Sequence, residues 1–161
     1  MTQKSGVTLM LFLMLTTLVY AQGKPKLEIS IQEEKVNQSM EERSGKVDII
    51  YQPGDTIRYL VKAINTGEGL MTEPSVTDPI PLGTTFVPGS ARSSTAEAKF
   101  SIDAGGEYMD WPPTYRVREA NGKITVREAT PDMITHIKWI INQSLESNEF
   151  TEMEFMVEVN K

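Results

Sequence analysis

The sequence predicts an all-β fold, an antiparallel sandwich of about seven to nine strands. Three observations carry that expectation. Apolar and polar residues alternate with a period of two through several short runs, the signature of strands with one buried face. Clusters of Gly, Pro and Asn punctuate those runs. No stretch sustains the 3.6-residue period of a helix. Many short strands separated by turns bury their apolar faces by packing two sheets together; a closed barrel is the architectural alternative.

The elements follow in order. Leu27, Ile29 and Ile31 alternate with Glu28, Ser30 and Gln32, giving a first half-buried strand over residues 27–32. Residues 38–43 ("QSMEER") fit one turn of helix or a polar loop. After the Pro53-Gly54-Asp55 turn, Ile57, Tyr59, Val61 and Ala63 take one side of a strand, and Arg58, Leu60, Lys62 and Ile64 the other. That strand stops at Asn65-Thr66-Gly67. The Asn side chain can bond nearby backbone there, and Gly67 permits the reversal. Short strands are expected around residues 74–77 and 84–87, with Asp78 held extended by Pro79.

Phe100 and Ile102 alternate with Ser101 and Asp103, Tyr115 and Val117 with Arg116 and Arg118, and Ile124 and Val126 with Thr125 and Arg127. Asn121-Gly122, between the last two runs, predicts a hairpin closed by a type I′ turn. Ile137, Trp139 and Ile141 alternate with Lys138 and Ile140. The final strand sets Met153, Phe155, Val157 and Val159 against Glu152, Glu154, Met156 and Glu158. The first strand and the last, residues 153–159, are expected to supply sheet edges; the outer acidic row and Lys62 would solvate the outside.

The chain has 161 residues, which fits one domain. Lys4, the apolar run over residues 7–19 and Val19-Tyr20-Ala21 before Gln22 have the layout of a secretory signal peptide over residues 1–21. An uncleaved anchor is the alternative, but the run is shorter than the roughly 20 residues of a membrane span. Cleavage leaves residues 22–161 as a single β-sandwich domain without stable membrane insertion. It removes one lysine, so the formal net charge passes from −6 to −7. Such acidity argues against nucleic-acid partners and against adhesion to anionic lipid. The absence of cysteine excludes thiol catalysis, cysteine metal sites, redox chemistry and a cysteine-linked lipid anchor.

Candidate chemistry is sparse. His136 is the only histidine, and no Gly-x-Ser-x-Gly elbow accompanies it, so a structural place on a strand is preferred to a catalytic triad. Asp103, Glu107 and Asp110 surround Gly105-Gly106 and offer oxygen ligands, but without the spacing of a calcium loop. Trp111, before Pro112-Pro113 in a stiff extended segment, either covers one end of the core or presents a recognition surface. Trp139 is expected in the core. Lys62 and Asn65 raise the idea of a Lys–Asn isopeptide bond, which needs a buried, uncharged lysine; Lys62 is expected to face solvent instead. Asn37-Gln38-Ser39 and Asn142-Gln143-Ser144 fit the eukaryotic glycosylation sequon. No catalytic, cofactor or metal residue is assigned.

Residues 53–91 carry a more specific pattern: Pro53-Gly54-Asp55, Tyr59, Asn65-Thr66-Gly67, Asp78, Pro81, Gly83 and Phe86. This resembles the conserved-repeat family called domain of unknown function eleven. "FSID" with Gly105-Gly106, then "THIKW" at residues 135–139, is similar to the second half of that pattern, so the resemblance spans about residues 47–159. The closing "LESNEF" departs from it, with Asn148 in place to supply the turn. The resemblance implies an immunoglobulin-like sandwich on exported bacterial or archaeal proteins, serving as a spacer or interaction module with no shared catalytic site. The expectation is a periplasmic or secreted module, monomeric or weakly associating, that binds another envelope protein through a sheet edge or loops. Carbohydrate binding through Trp111 and neighbouring loops is the alternative.

Overall fold

The computed structural model describes residues 23–161 apart from residue 46; the leader read over residues 1–21 lies outside the described residues. β2 (Thr56–Asn65) sets the inside of the molecule, with Ile57, Tyr59, Val61 and Ala63 buried and the alternate residues turned outward. β1 (Leu27–Lys35) and β9 (Phe150–Val159) flank it antiparallel. β4 (Thr84–Phe86) pairs with the far side of β9, giving the order β1-β2-β9-β4. In the second sheet β8 (His136–Ile141) lies between β3 (Ser75–Pro79) and β5 (Ala96–Ser101). β6 (Thr114–Arg118) and β7 (Ile124–Glu128) form a separate two-stranded ribbon. The protein is therefore an all-β antiparallel sandwich, with nine strands among the described residues.

Between the sheets, Trp139, Phe86, Phe155, Ile137 and Met153 are almost wholly inaccessible, and Tyr59 stacks on Phe155 at 5.0 Å. Each such side chain contributes roughly 1.5–3 kcal/mol by leaving water. Trp139 also donates its indole N–H to Asp78 Oδ2 at 3.0 Å, which gives a buried carboxylate a polar partner.

The two sheets differ in width. Phe86 of β4 lies 5.2 Å from Phe100 of β5, so these strands face one another at one side of the sandwich. Following both orders from there sets β9 over β8 and β2 over β3, and leaves no described strand opposite β1. The exposures agree. Ile29 and Ile31 point to the same side as their partners Ala63 and Val61, which are 0% and 1% exposed, yet are themselves 46% and 53% exposed. The half-buried first strand expected from the alternation is corrected here: its apolar side faces inward, but among the described residues no strand lies beneath it.

The far end of β1 is covered by the following segment. Lys35 is buried, its ammonium 3.0 Å from Asp55, 3.1 Å from Glu42 and 3.0 Å from the Ile50 carbonyl oxygen. The bond to Asp55, then that to Glu42, holds the lysine pKa above its ordinary value against the opposing effect of burial. Glu42 is delivered by a capping box: Ser39 N–H donates to Glu42 Oε2 at 2.7 Å, and Glu42 N–H to Ser39 Oγ at 3.2 Å. That box selects the helical alternative for the polar segment, as the single turn α1 (Met40–Arg43).

Three further expectations are corrected. The last strand is not an edge: β4 pairs with Val157–Val159 of it, Val87 N–H donates to the Met156 carbonyl, and Arg92 exchanges both backbone bonds with Glu154. The β6–β7 turn is not type I′. Glu119 N–H bonds the Lys123 carbonyl and Gly122 N–H the Glu119 carbonyl, and Gly122 has φ +83° while Asn121 is not left-handed. This is a three-residue loop closed by a left-handed glycine. The ribbon also leaves Ile124 and Val126 exposed, at 55% and 61%, on the face shared with Arg116 and Arg118, where half-burial was expected. The Trp111–Pro112 peptide is cis.

Asn65 closes β2 as expected and does more. Its Nδ2 donates to the Gly69 carbonyl at 2.7 Å and the Leu145 carbonyl at 2.9 Å, and its Oδ1 accepts from Gly67 N–H at 3.0 Å and Lys26 N–H at 3.1 Å. All four bonding positions of the amide are filled. The side chain thus pins the entry to β1, its own turn and the loop before β9. Gly67 is required for space rather than for a left-handed φ: a Cβ there would collide with the Lys24 carbonyl oxygen and Lys26 nitrogen. Asn148 supplies the closing turn, with φ +65°.

Candidate functional site

The open side of β1 is defined by its backbone as well as its side chains. Val36 N–H donates to the Thr56 carbonyl and Thr66 N–H to the Lys26 carbonyl. In this register the even-numbered residues of β1 exchange bonds with β2. The amides and carbonyls of Leu27, Ile29, Ile31 and Glu33 then point away from the sheet, because bonding sides alternate along an antiparallel strand. Among the described residues no strand pairs with that side. The edge is nine residues long, uninterrupted by proline.

The neighbouring edge, on β3, is guarded. The Ile141 N–H bond to Pro74 and the Ile80 N–H bond to Thr135 turn Ser75, Thr77 and Pro79 outward. Pro79 has no N–H to offer there, and the strand is only five residues long. Of the two edges expected from the sequence, the first is thus present and the second is closed.

A second surface lies at the opposite side. Trp111 packs against Phe86 at 5.3 Å and Phe100 at 5.2 Å, yet keeps 37% of its surface. It therefore both caps the core and stands at a rim. The groove beside it has a volume of about 620 Å³ and is lined by Phe86, Phe100, Trp139, Ala91, Ala96 and Ala98. Arg92 and Glu97 are its charged neighbours.

The remaining candidates are placed by ordinary contacts. Register sets Ser101 opposite His136, and Asp103 is close by. Ser101 is fully buried, however, and its hydroxyl donates to Asp103 Oδ1 at 2.7 Å, while His136 Nδ1 lies 3.2 Å from Thr135 Oγ1. The serine and carboxylate tie down the loop at Gly105, and the Ser101 bond is the first cause holding the Asp103 carboxyl below its usual range. Asp110 is drawn away to Lys99 at 2.6 Å. The oxygen cluster around Gly105-Gly106 is therefore not assembled, and among the described residues no three acidic, His or Cys side chains are placed to share an ion. Lys62 sits outside with its ammonium 3.8 Å over the Phe150 ring, and Asn65 is spent on four backbone bonds, so the pair is not poised to join.

No family model, curated protein or solved structure matches the chain.

Proposed function

We propose that the protein is an exported cell-envelope interaction module without catalytic activity, which binds a protein partner by strand addition at β1. One observation carries the reading: a long edge strand whose outward backbone groups lack a strand partner among the described residues, and whose apolar residues Ile29 and Ile31 are about half exposed. An added strand satisfies the backbone groups, and alternate side chains give selectivity. The exported, periplasmic or secreted setting is supported by the leader pattern over residues 1–21. The immunoglobulin-like kinship rests on the residues quoted above.

A photo-crosslinking residue at Ile31, introduced in the expressing cell, should give one discrete adduct, and the same residue at exposed Glu97 on β5 should not. The processed chain should begin at Gln22. Equal, diffuse labelling from both positions would remove the reading. The aromatic groove favours carbohydrate binding as a second reading: Trp111→Ala would then abolish glycan retention while leaving the Ile31 adduct unchanged.

A further inference from the structure

We propose that the occupant of the β1 edge is a second copy of this chain, paired antiparallel through β1 about a two-fold axis at Ser30. This inference rests on the interaction reading above and names its partner. Closed two-fold pairing of one patch with itself is the commonest form of self-association, and the β1 edge meets its requirements in one register.

With the axis at Ser30, Ile29 lies opposite the partner's Ile31, and Leu27 opposite the partner's Glu33. These are the residues whose backbone groups point outward, so both pairs fall at hydrogen-bonded positions of the new ladder. The four isoleucines, two from each copy, form one apolar strip on the inner face. On the outer face Lys26 meets the partner's Glu34, Glu28 meets the partner's Gln32, and Ser30 meets the partner's Ser30. Opposite charges facing across strands are favourable and like charges unfavourable.

The neighbouring registers are weaker in charge or in length. An axis at Ile31 sets Glu28 against the partner's Glu34, a like-charge pair. An axis at Ile29 pairs only residues 27–31 of β1, a shorter ladder than the 27–33 paired about Ser30, and sets Lys26 against the partner's Gln32. Charge and ladder length together therefore favour the Ser30 alignment.

The chain has no cysteine, so Ser30→Cys, in the protein purified as the cell processes it, carries a single thiol. In the proposed pair the two residue-30 positions form a close non-hydrogen-bonded pair with Cα atoms about 4.5 Å apart, within disulfide reach. Mild oxidation should convert this variant to a covalent dimer at least about tenfold faster than Gln32→Cys, through the high effective concentration of a pre-formed pair. Adding Glu34→Lys should slow the reaction several-fold, and adding Lys26→Glu as well should restore it. Equal oxidation of both cysteine variants, with a monomer at millimolar concentration by sedimentation, overturns the inference. The mass of the Ile31 adduct separates the two proposals. Twice the chain mass supports self-pairing. A different protein's mass overturns self-pairing and keeps the interaction reading, and no adduct overturns both.

Discussion

Asn65→Leu is expected to destabilise the protein by about 4–5 kcal/mol, at the upper end for one substitution. The amide is fully buried and makes four hydrogen bonds to three separated parts of the chain. Leucine has similar size but strands the Lys26 and Gly67 amides and the Gly69 carbonyl, and removes one of two bonds from the Leu145 carbonyl, which keeps the Met71 N–H. Each buried group left unpaired costs roughly 1–3 kcal/mol, and partial relaxation keeps the total below their sum. With a urea slope of about 2 kcal/mol per molar, the unfolding midpoint should fall by about 2 M. Asn65→Asp keeps the acceptor but turns an oxygen toward two carbonyls, so it should be comparably damaging at neutral pH. A midpoint shift under about 0.5 M for Asn65→Leu would show that the three segments are held by other means.

Trp139→Phe should cost about 3 kcal/mol at pH 7, combining a smaller core side chain with loss of the polar partner of Asp78. The pH dependence identifies the second part. Burial, the larger cause, raises the Asp78 pKa above its ordinary 3.8, while the indole N–H opposes the rise. A raised carboxylate pKa means the folded state holds its proton where the unfolded state has released it. This group's contribution to stability therefore grows as pH falls from the raised folded value toward 3.8, and is lost as pH rises through that window. Removing the indole strengthens the preference for the neutral acid, so the penalty of Trp139→Phe should shrink between pH 7 and pH 4.5. Asp78→Asn, which cannot titrate, should abolish that dependence. Urea unfolding of the parent, the two single variants and the double variant at both pH values measures it, and a Trp139→Phe penalty independent of pH would contradict the role given to Asp78.

Much of this architecture is legible in the alternation. The buried row of β2, the core place of Trp139 and the turn function of Asn65 and Asn148 all follow from local pattern. What alternation records is the side a residue faces, not whether anything lies on that side. Ile29 and Ile31 therefore look the same in sequence as Val61 and Ala63, and differ only because the second sheet is one strand narrower. For the same reason the acidic row Glu152, Glu154 and Glu158 reads as edge protection, although it is the solvated outer face of an interior strand. Lys35 continues the apolar row of β1 in register, which marks it as an inward lysine; its carboxylate partner Asp55 is twenty positions away and is fixed only by folding. The long-range bonds of Asn65 to Leu145 and of Trp139 to Asp78 are invisible to local reading in the same way. Ser101 and His136 meet through strand register, and only the observed hydroxyl geometry shows that their meeting is structural.

The claim on which the functional account stands is that β1 is bonded on one side and open on the other. Residue-resolved amide hydrogen exchange, at concentrations low enough to keep the chain monomeric, tests it directly. Alternating protection is predicted along the strand: slow exchange at Glu28, Ser30, Gln32 and Glu34, and fast exchange at Leu27, Ile29, Ile31 and Glu33. Uniform slow exchange through all eight amides of the monomer would mean that the edge is already covered, and would contradict the account.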